Sequence, residues 1–321
     1  MQGLVTVFGG TGFLGRYAVR ALARAGWRIR VAIRRPHLAP ELRVMGDVGQ
    51  IQLVQANVRM PASVEQALEG SVACVNLVGA LYERGPQRFQ SLHAMAPKII
   101  AEAAARQGLE RLVHISAIGA DEGSESKYAR TKAMGEAAVR EAFPAATVLR
   151  PSVVFGPEDD FFNRFGAMAA LSPALPLIGG GRTRFQPVYA GDVGAAIAAA
   201  LDQETAKGRT YELGGPAVYS FRQLMELILK ETHRRRWLAP TPFPLAKALG
   251  TVGDIAAMLP FPPPITSDQV ALLKTDNVAG RGLPGLADLG VPATALEAVV
   301  PTYLWKFRKG GQFAQPEAAN A

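Results

Sequence analysis

Two side chains in the stretch SESKYARTKAMGEAAVREAF, residues 124–143, are spaced for proton chemistry. Tyr128 and Lys132 stand four apart, on one face of the helix this stretch predicts. A lysine ammonium beside a phenol favours the phenolate, which would lower the Tyr128 pKa toward working pH and let it pass a proton. Lys132 can also donate to ribose hydroxyls. A further hydroxyl beside such a pair would steady the reacting oxygen. LVHISAIGADEGSESKY offers two, Ser116 at the end of an apolar run and Ser126 in the loop, while Ala117 and Ile118 bring none. Ser116 therefore either completes the site or is vestigial, and the pair suits either turnover or a grip on a ligand.

A second constellation opens the chain. VTVFGGTGFLGRYAVRAL sets Gly9, Gly12 and Gly15 in G-x-x-G-x-x-G spacing, directly after an apolar strand and at the start of a helix. Glycines there permit a tight turn and close backbone approach to a pyrophosphate. The N–H groups around Thr11, Phe13 and Leu14, with the helix dipole, receive its negative charge. A NAD site has an acidic residue about 20 residues further on, which takes the ribose hydroxyls. Here VAIRRP puts Arg34 and Arg35 in that place, and the next acid is Glu41. A guanidinium pairs with a 2′-phosphate by charge-assisted bonds, so NADPH (NADP) is the expected cofactor, with Arg34, nearer the strand, ahead of Arg35. QANVRMP and NLVGALYE end two later strands; Asn57 and Val58 are placed to border the adenine, and Val78, Gly79 and Ala80 to let the main chain approach the cofactor.

Short runs rich in Val, Ile and Leu at 4–8, 28–33, 51–55, 72–78, 111–117 and 146–151 read as buried parallel strands, with helical stretches between them. That alternation predicts an α/β fold, a doubly wound parallel sheet of Rossmann type, with its ligand crevice at the carboxyl ends of the strands. Residues 1–156 are the expected nucleotide-binding domain, joined by returning segments around 183–215. A smaller C-terminal lobe takes 157–182 and 216–321. Beyond Pro151, FFNRFGAMAALSP and GDVGAAIAAALD read as helices and RTYELGG as a returning strand. From Pro240 the prolines of APTPFPL and LPFPPPI rule out long strands or helices and predict an extended wrapping segment. The tail GGQFAQPEAANA is expected to fray.

The 321 residues, 49% hydrophobic and 19% charged, suffice for a large core and exclude a chain disordered over most of its length. No apolar run reaches the roughly 18 residues of a membrane span. The first residues enter a strand at once, which predicts no signal peptide and a cytoplasmic location. Lysine and arginine exceed the acids by 35 − 27 = 8, which suits an anionic cofactor, membrane surface or acidic partner. No nucleic-acid motif accompanies the surplus. Within HRRRW, residues 233–237, the cluster either docks on an anionic membrane surface through the C-terminal lobe or is simply solvated. Cys74 reads as a buried structural thiol. His37, His93, His114 and His233 lack metal spacing, so no metal is expected; His114 reads as a satisfied core residue, and Asp159, Asp160 and Asp192 as turn or cap residues.

GGTGFLG, VAIRRP, SKYARTKAMGE, LRPSVVFGPEDDFFNRF and QPVYAGDV together resemble the atypical, extended short-chain dehydrogenase/reductases. PFPPPITSDQV and LPGLADLGVPATALEAV bring the likeness closest to the NADPH-binding accessory subunits of respiratory complex I. The resemblance implies a tightly held structural nucleotide without established turnover and a position peripheral to the membrane, on the cytoplasmic face of the inner membrane in a bacterial homologue. It implies complex I subunits as partners. Carried onto this chain, Gly9, Gly12 and Gly15 would take the pyrophosphate, Arg34 the 2′-phosphate, and Tyr128 and Lys132 the nicotinamide ribose; Pro151, Ser152, Val153 and Val154 would line the nicotinamide. The alternative is a free-standing NADPH-dependent reductase or nucleotide-sugar epimerase/dehydratase that turns over through Tyr128 and Lys132.

Overall fold

The computed structural model describes residues 3–257, 263 and 265–313. Its first six strands are β1 (Leu4–Phe8), β2 (Arg28–Ile33), β3 (Ile51–Gln55), β4 (Ala73–Asn76), β5 (Arg111–Ile115) and β6 (Thr147–Pro151). Then come β7 (Val154–Phe155), β8 (Ala174–Ile178), β9 (Arg184–Phe185), β10 (Val188–Tyr189), β11 (Thr210–Leu213), β12 (Tyr219–Ser220) and β13 (Trp237–Thr241). The helices that matter for the site are α1 (Phe13–Arg24), α2 (Pro61–Leu68), α3 (Ala96–Arg106), α4 (Lys127–Ala142), α5 (Phe161–Leu171), α6 (Ala190–Asp202), α7 (Phe221–Glu231), α8 (Phe243–Ala256) and α9 (Ser267–Leu272).

Seven strands form one parallel sheet in the order β11-β6-β5-β4-β1-β2-β3. The order reverses between β1 and β4, which is where a doubly wound sheet opens its crevice. β1 is paired on both sides, with Val5 opposite Ile29 and Ala73, and helices cover both faces of the sheet, so its side chains are buried on both faces. This explains its unbroken apolar run. One face of the sheet packs on α1 and α6 through Val19, Leu22, Val193 and Ile197. Val64, Leu68, Ile100 and Val139 of α2, α3 and α4 cover the other. Each such aliphatic side chain contributes roughly 1.5–3 kcal/mol on burial. RTYELGG returns as expected: β11 closes the sheet edge beside β6, Tyr211 opposite Leu149.

A further apolar cluster gathers Phe155, Phe162, Leu175, Leu177, Phe221, Leu224, Ile228 and Leu304. α7 enters it through a capping box, Ser220 with Gln223, and buries Phe221, Leu224, Met225 and Ile228 at helical spacing.

The proline-rich stretch departs from expectation. Pro240 lies inside β13, which pairs with β8 alone and so tolerates a residue without an N–H. Pro242 and Pro244 stand at the start of α8, a 14-residue helix, where the missing N–H groups cost nothing. LPFPPPI lies mostly outside the described residues. The chain leading into α9 comes so close to α8 that a Cβ on Gly253 would meet the Ile265 carbonyl oxygen at 1.8 Å. Among the described residues no helix is long and apolar enough to cross a membrane.

Candidate functional site

The glycine turn joins β1 to α1 at the switch point of the sheet. Gly9 takes φ +84°, and a Cβ there would lie 2.9 Å from the Leu77 carbonyl carbon of the next strand's end. A Cβ on Gly15 would fall 2.3 Å from the Gly9 oxygen and 2.6 Å from the Gly10 carbonyl carbon, so only glycine allows α1 this close to the turn. Gly12 is the N-cap residue and brings no side-chain acceptor, and no acid stands in the first turn of α1. The N–H groups beside Phe13 and Leu14, with exposed Thr11 ahead of them, face no competing protein anion there. These features fit a dinucleotide pyrophosphate.

Arg34 and Arg35 leave the carboxyl end of β2 exposed, and neither guanidinium has a hydrogen bond or ion pair among the described residues. Asn57 and Val58 follow β3, half-buried. The Asn57 side-chain oxygen Oδ1 accepts from Arg59 N–H at 3.2 Å, and the Asn57 backbone N–H donates to the Ser63 hydroxyl, which fixes the loop. Beyond β4, Val78 N–H donates to buried Asn76 at 3.0 Å. Ala80 N–H donates to His93 Nε2 at 3.0 Å. Added to Gly79, a Cβ would stand 3.5 Å from Lys132 Nζ, so this backbone and the lysine share one space.

Ser116 follows β5, buried, and its hydroxyl has no hydrogen-bond partner. Lys132 is also buried and donates to the Ile115 carbonyl at 3.1 Å, one residue away. Burial lowers its pKa to about 8, partly opposed by Glu136. Its ammonium lies 5.9 Å from the centre of the Tyr128 ring. The sequence expectation for the phenol is reversed: burial, then the Asp268 carboxylate, pushes Tyr128 up to about 12. Ser126, the second candidate hydroxyl, is already committed as the N-cap of α4: it accepts from Ala129 N–H and donates to Asp268 at 2.8 Å.

Pro151 and Ser152 are buried at the end of β6, with Val153 and Val154 half-buried beyond. Asn277 crosses them: its side-chain oxygen accepts from the Ser152 hydroxyl at 2.7 Å and from Val153 N–H at 2.8 Å, and its amide donates to the Ile118 carbonyl at 3.3 Å.

Three residues of this neighbourhood carried no sequence signal of their role. Asn277 and Asp268 arrive from the far end of the chain; the Thr266–Gln269 capping box marks a helix start but says nothing of its target. His93 stacks on Phe89 and meets the Tyr128 ring edge-on, centroids 5.1 Å apart in both cases. Burial, then Lys132, lowers it to about 2, so the imidazole is neutral and accepts from Ala80. His114 also differs from expectation: Nδ1 accepts from Asn76 at 3.2 Å, but Nε2 is buried without a partner. Asp159 does cap α5, accepting from Phe162 and Asn163 N–H and from the Tyr303 hydroxyl. Asp192 instead holds Thr294 of the C-terminal chain.

Residues 5–214 match the NAD dependent epimerase/dehydratase family, and the chain belongs to it. A nicotinamide dinucleotide is the cofactor class that goes with this fold and this turn. Over nearly its whole length the chain is similar to NADH dehydrogenase [ubiquinone] 1 alpha subcomplex subunit 9, mitochondrial. The Arabidopsis thaliana protein is 37% identical over 320 residues, 97% of this chain and 80% of that protein. The Mus musculus protein is 38% identical over 296 residues, 92% and 78% of the two chains. The likeness to the complex I accessory subunit, first read from short motifs, thus extends along the chain. Among solved structures, the Citrobacter sp. triphenylmethane reductase superposes with a TM-score of 0.74 at 20% identity, covering 94% of this chain and 99% of that one, which shows the shared fold.

Proposed function

We propose that this chain holds NADPH as a structural element and serves as an accessory or assembly subunit of respiratory complex I (NADH:ubiquinone oxidoreductase), peripheral to the membrane. The observation that carries the nucleotide choice is the unpartnered Arg34 and Arg35 pair at the tip of β2, where a carboxylate would repel a 2′-phosphate. Gly9, Gly12 and Gly15, with the N–H groups around Thr11, Phe13 and Leu14, take the pyrophosphate. Asn57 and Val58 border the adenine, the main chain of Val78 to Ala80 approaches the cofactor, and Pro151 to Val154 line the nicotinamide. Tyr128 and Lys132 take the nicotinamide ribose. The assembly role is supported by the 37% identity over 97% of the chain to a relative named as a subunit of NADH dehydrogenase.

A holding role, as against general-base catalysis, is supported by Tyr128, whose phenol stays protonated with a pKa of about 12. Extraction of native membranes in mild detergent tests the reading. Complex I subunits should travel with this chain, and about one NADPH per chain should be released on denaturation. Recovery of the chain alone and free of nucleotide would contradict it. A free-standing NADPH-dependent reductase or nucleotide-sugar epimerase/dehydratase is the second reading, favoured by the unpartnered Ser116 hydroxyl one residue beyond the carbonyl that Lys132 bonds. It requires turnover with a carbonyl or nucleotide-sugar substrate that Tyr128→Phe abolishes while NADPH affinity persists.

A further inference from the structure

A cleft of about 960 Å³ lies between the 82–89 loop, the first turn of α4 and the α8–α9 pair. Pockets that hold small molecules run to about 1,000 Å³, so this one has room for a sizeable ligand. None of the glycines of the turn lines it, nor do Ser116, Tyr128 or Lys132. Its far wall is a rigid piece of structure: Gly250 and Gly253 bring α8 against residues 265–267, and Asp254 accepts from both Ser267 N–H and its hydroxyl.

The charges around the cleft are unevenly committed. Glu83 accepts from Phe89 N–H at 2.9 Å and faces Arg88 at 3.8 Å, and Glu125 pairs with Lys274 at 2.7 Å. Asp254 is bonded to Ser267, and Asp268 to Ser126 and to the N–H groups of Lys127 and Tyr128. All four lining carboxylates therefore have partners. Three cations do not: among the described residues the side chains of Arg84, Lys127 and Lys247 make no hydrogen bond or ion pair, although Lys247 lies in the field of Glu125. Positive charge left over beside the accessible apolar surface of Phe243 and Pro244 suits a ligand with an anionic end and a hydrocarbon body.

We propose that this cleft binds one anionic amphiphile, a phosphate monoester of a hydrocarbon chain, its phosphate met by Arg84, Lys127 and Lys247 and its chain laid on Phe243 and Pro244. A phosphate monoester carries about −1.5 to −2 at neutral pH, which matches several cations better than a single carboxylate does. The site is independent of the NADPH reading. Calorimetry on the full chain tests it, with dodecyl phosphate titrated below its micelle concentration and with inorganic phosphate and dodecyl maltoside in parallel. Dodecyl phosphate should saturate one site per chain, with both comparison ligands at least about tenfold weaker, since each lacks one half of the interaction. The double variant Lys127→Gln/Lys247→Gln should weaken dodecyl phosphate about tenfold or more, through lost charge-assisted contacts. Arg235→Gln, at an exposed cation away from the cleft, should leave it unchanged. Maltoside or inorganic phosphate binding as tightly as dodecyl phosphate, no saturation, or wild-type affinity in the double lysine variant would overturn the proposal. NADPH titrated into the same samples reports the nucleotide site separately, so a failure of that reading is told apart from a failure of this one.

Discussion

The Asp268 carboxylate accepts a hydrogen bond from the backbone N–H of Tyr128 at 3.2 Å, joining residues 140 positions apart. The same oxygen takes the Ser126 hydroxyl at 2.8 Å, and its mate takes Lys127 N–H at 2.6 Å. One carboxylate of α9 thus satisfies the amino end of α4, where the helix dipole favours an anion. After burial, it also raises the proton affinity of the Tyr128 phenol.

Asp268→Asn should therefore act on both. Losing the charge lowers the Tyr128 titration midpoint below its present value of about 12. Losing a charged cap should cost about 1–3 kcal/mol of stability. An ultraviolet difference titration, with Tyr128→Phe as the blank, reads the first effect and denaturant unfolding the second. An unmoved midpoint would show that burial alone governs the phenol.

Asp159 gives the chain a pH dependence of definite sign. Burial lifts its carboxyl from 3.8 to about 6, against the pull of the Tyr303 hydroxyl and three N–H donors. Between those values the folded chain holds a proton that the unfolded chain has released. Stability from this group is therefore complete below about pH 4 and falls as pH rises through about 6, by up to roughly 3 kcal/mol. Urea unfolding across that window should show a flatter profile in Asp159→Asn than in the wild type.

Lys132 has the opposite signature. Its pKa of about 8, against 10.5 for a free lysine, means the unfolded chain binds more protons between those values, so stability should rise with pH across that range. Lys132→Met should abolish the rise and leave the protein at least as stable near neutral pH, because a buried charge has been removed. Dinucleotide affinity should fall about tenfold in the same variant, through the lost charge-assisted donor. Thermal unfolding with and without NADPH separates the two effects.

The six early strands and the glycine turn were legible because each rests on local pattern: buried parallel strands leave apolar runs, and a turn that a Cβ would fill leaves glycines. Arg34 and Arg35 stood out by the same logic, through a carboxylate missing from a fixed place. The proline-rich stretch was misread because Pro242 and Pro244 were weighed as breakers, whereas at the first turn of α8 they start a helix. The Tyr128 phenol was misread for a different reason. Its governing neighbours are desolvation and Asp268, and neither spacing nor composition near residue 128 reports a contact made from residue 268. Asn277 and His93 stayed hidden likewise, since their partners are fixed by the folded arrangement of distant segments.

Gly15→Ala would place a methyl 2.3 Å from the Gly9 carbonyl oxygen. Backbone cannot yield that distance cheaply, so the turn should open, with a loss of about 1–3 kcal/mol in stability. The NADPH-induced rise in unfolding temperature should disappear with it. A variant that keeps the full rise would place the nucleotide elsewhere.

The most direct test of the central claim is calorimetric titration of the apo chain with NADPH and with NADH, repeated in Arg34→Glu. The guanidinium at the tip of β2 should make NADPH bind about tenfold or more tighter than NADH, and the glutamate should erase or invert that preference. Equal affinity of the two nucleotides for the wild-type chain, or a preference that survives Arg34→Glu, would contradict the account.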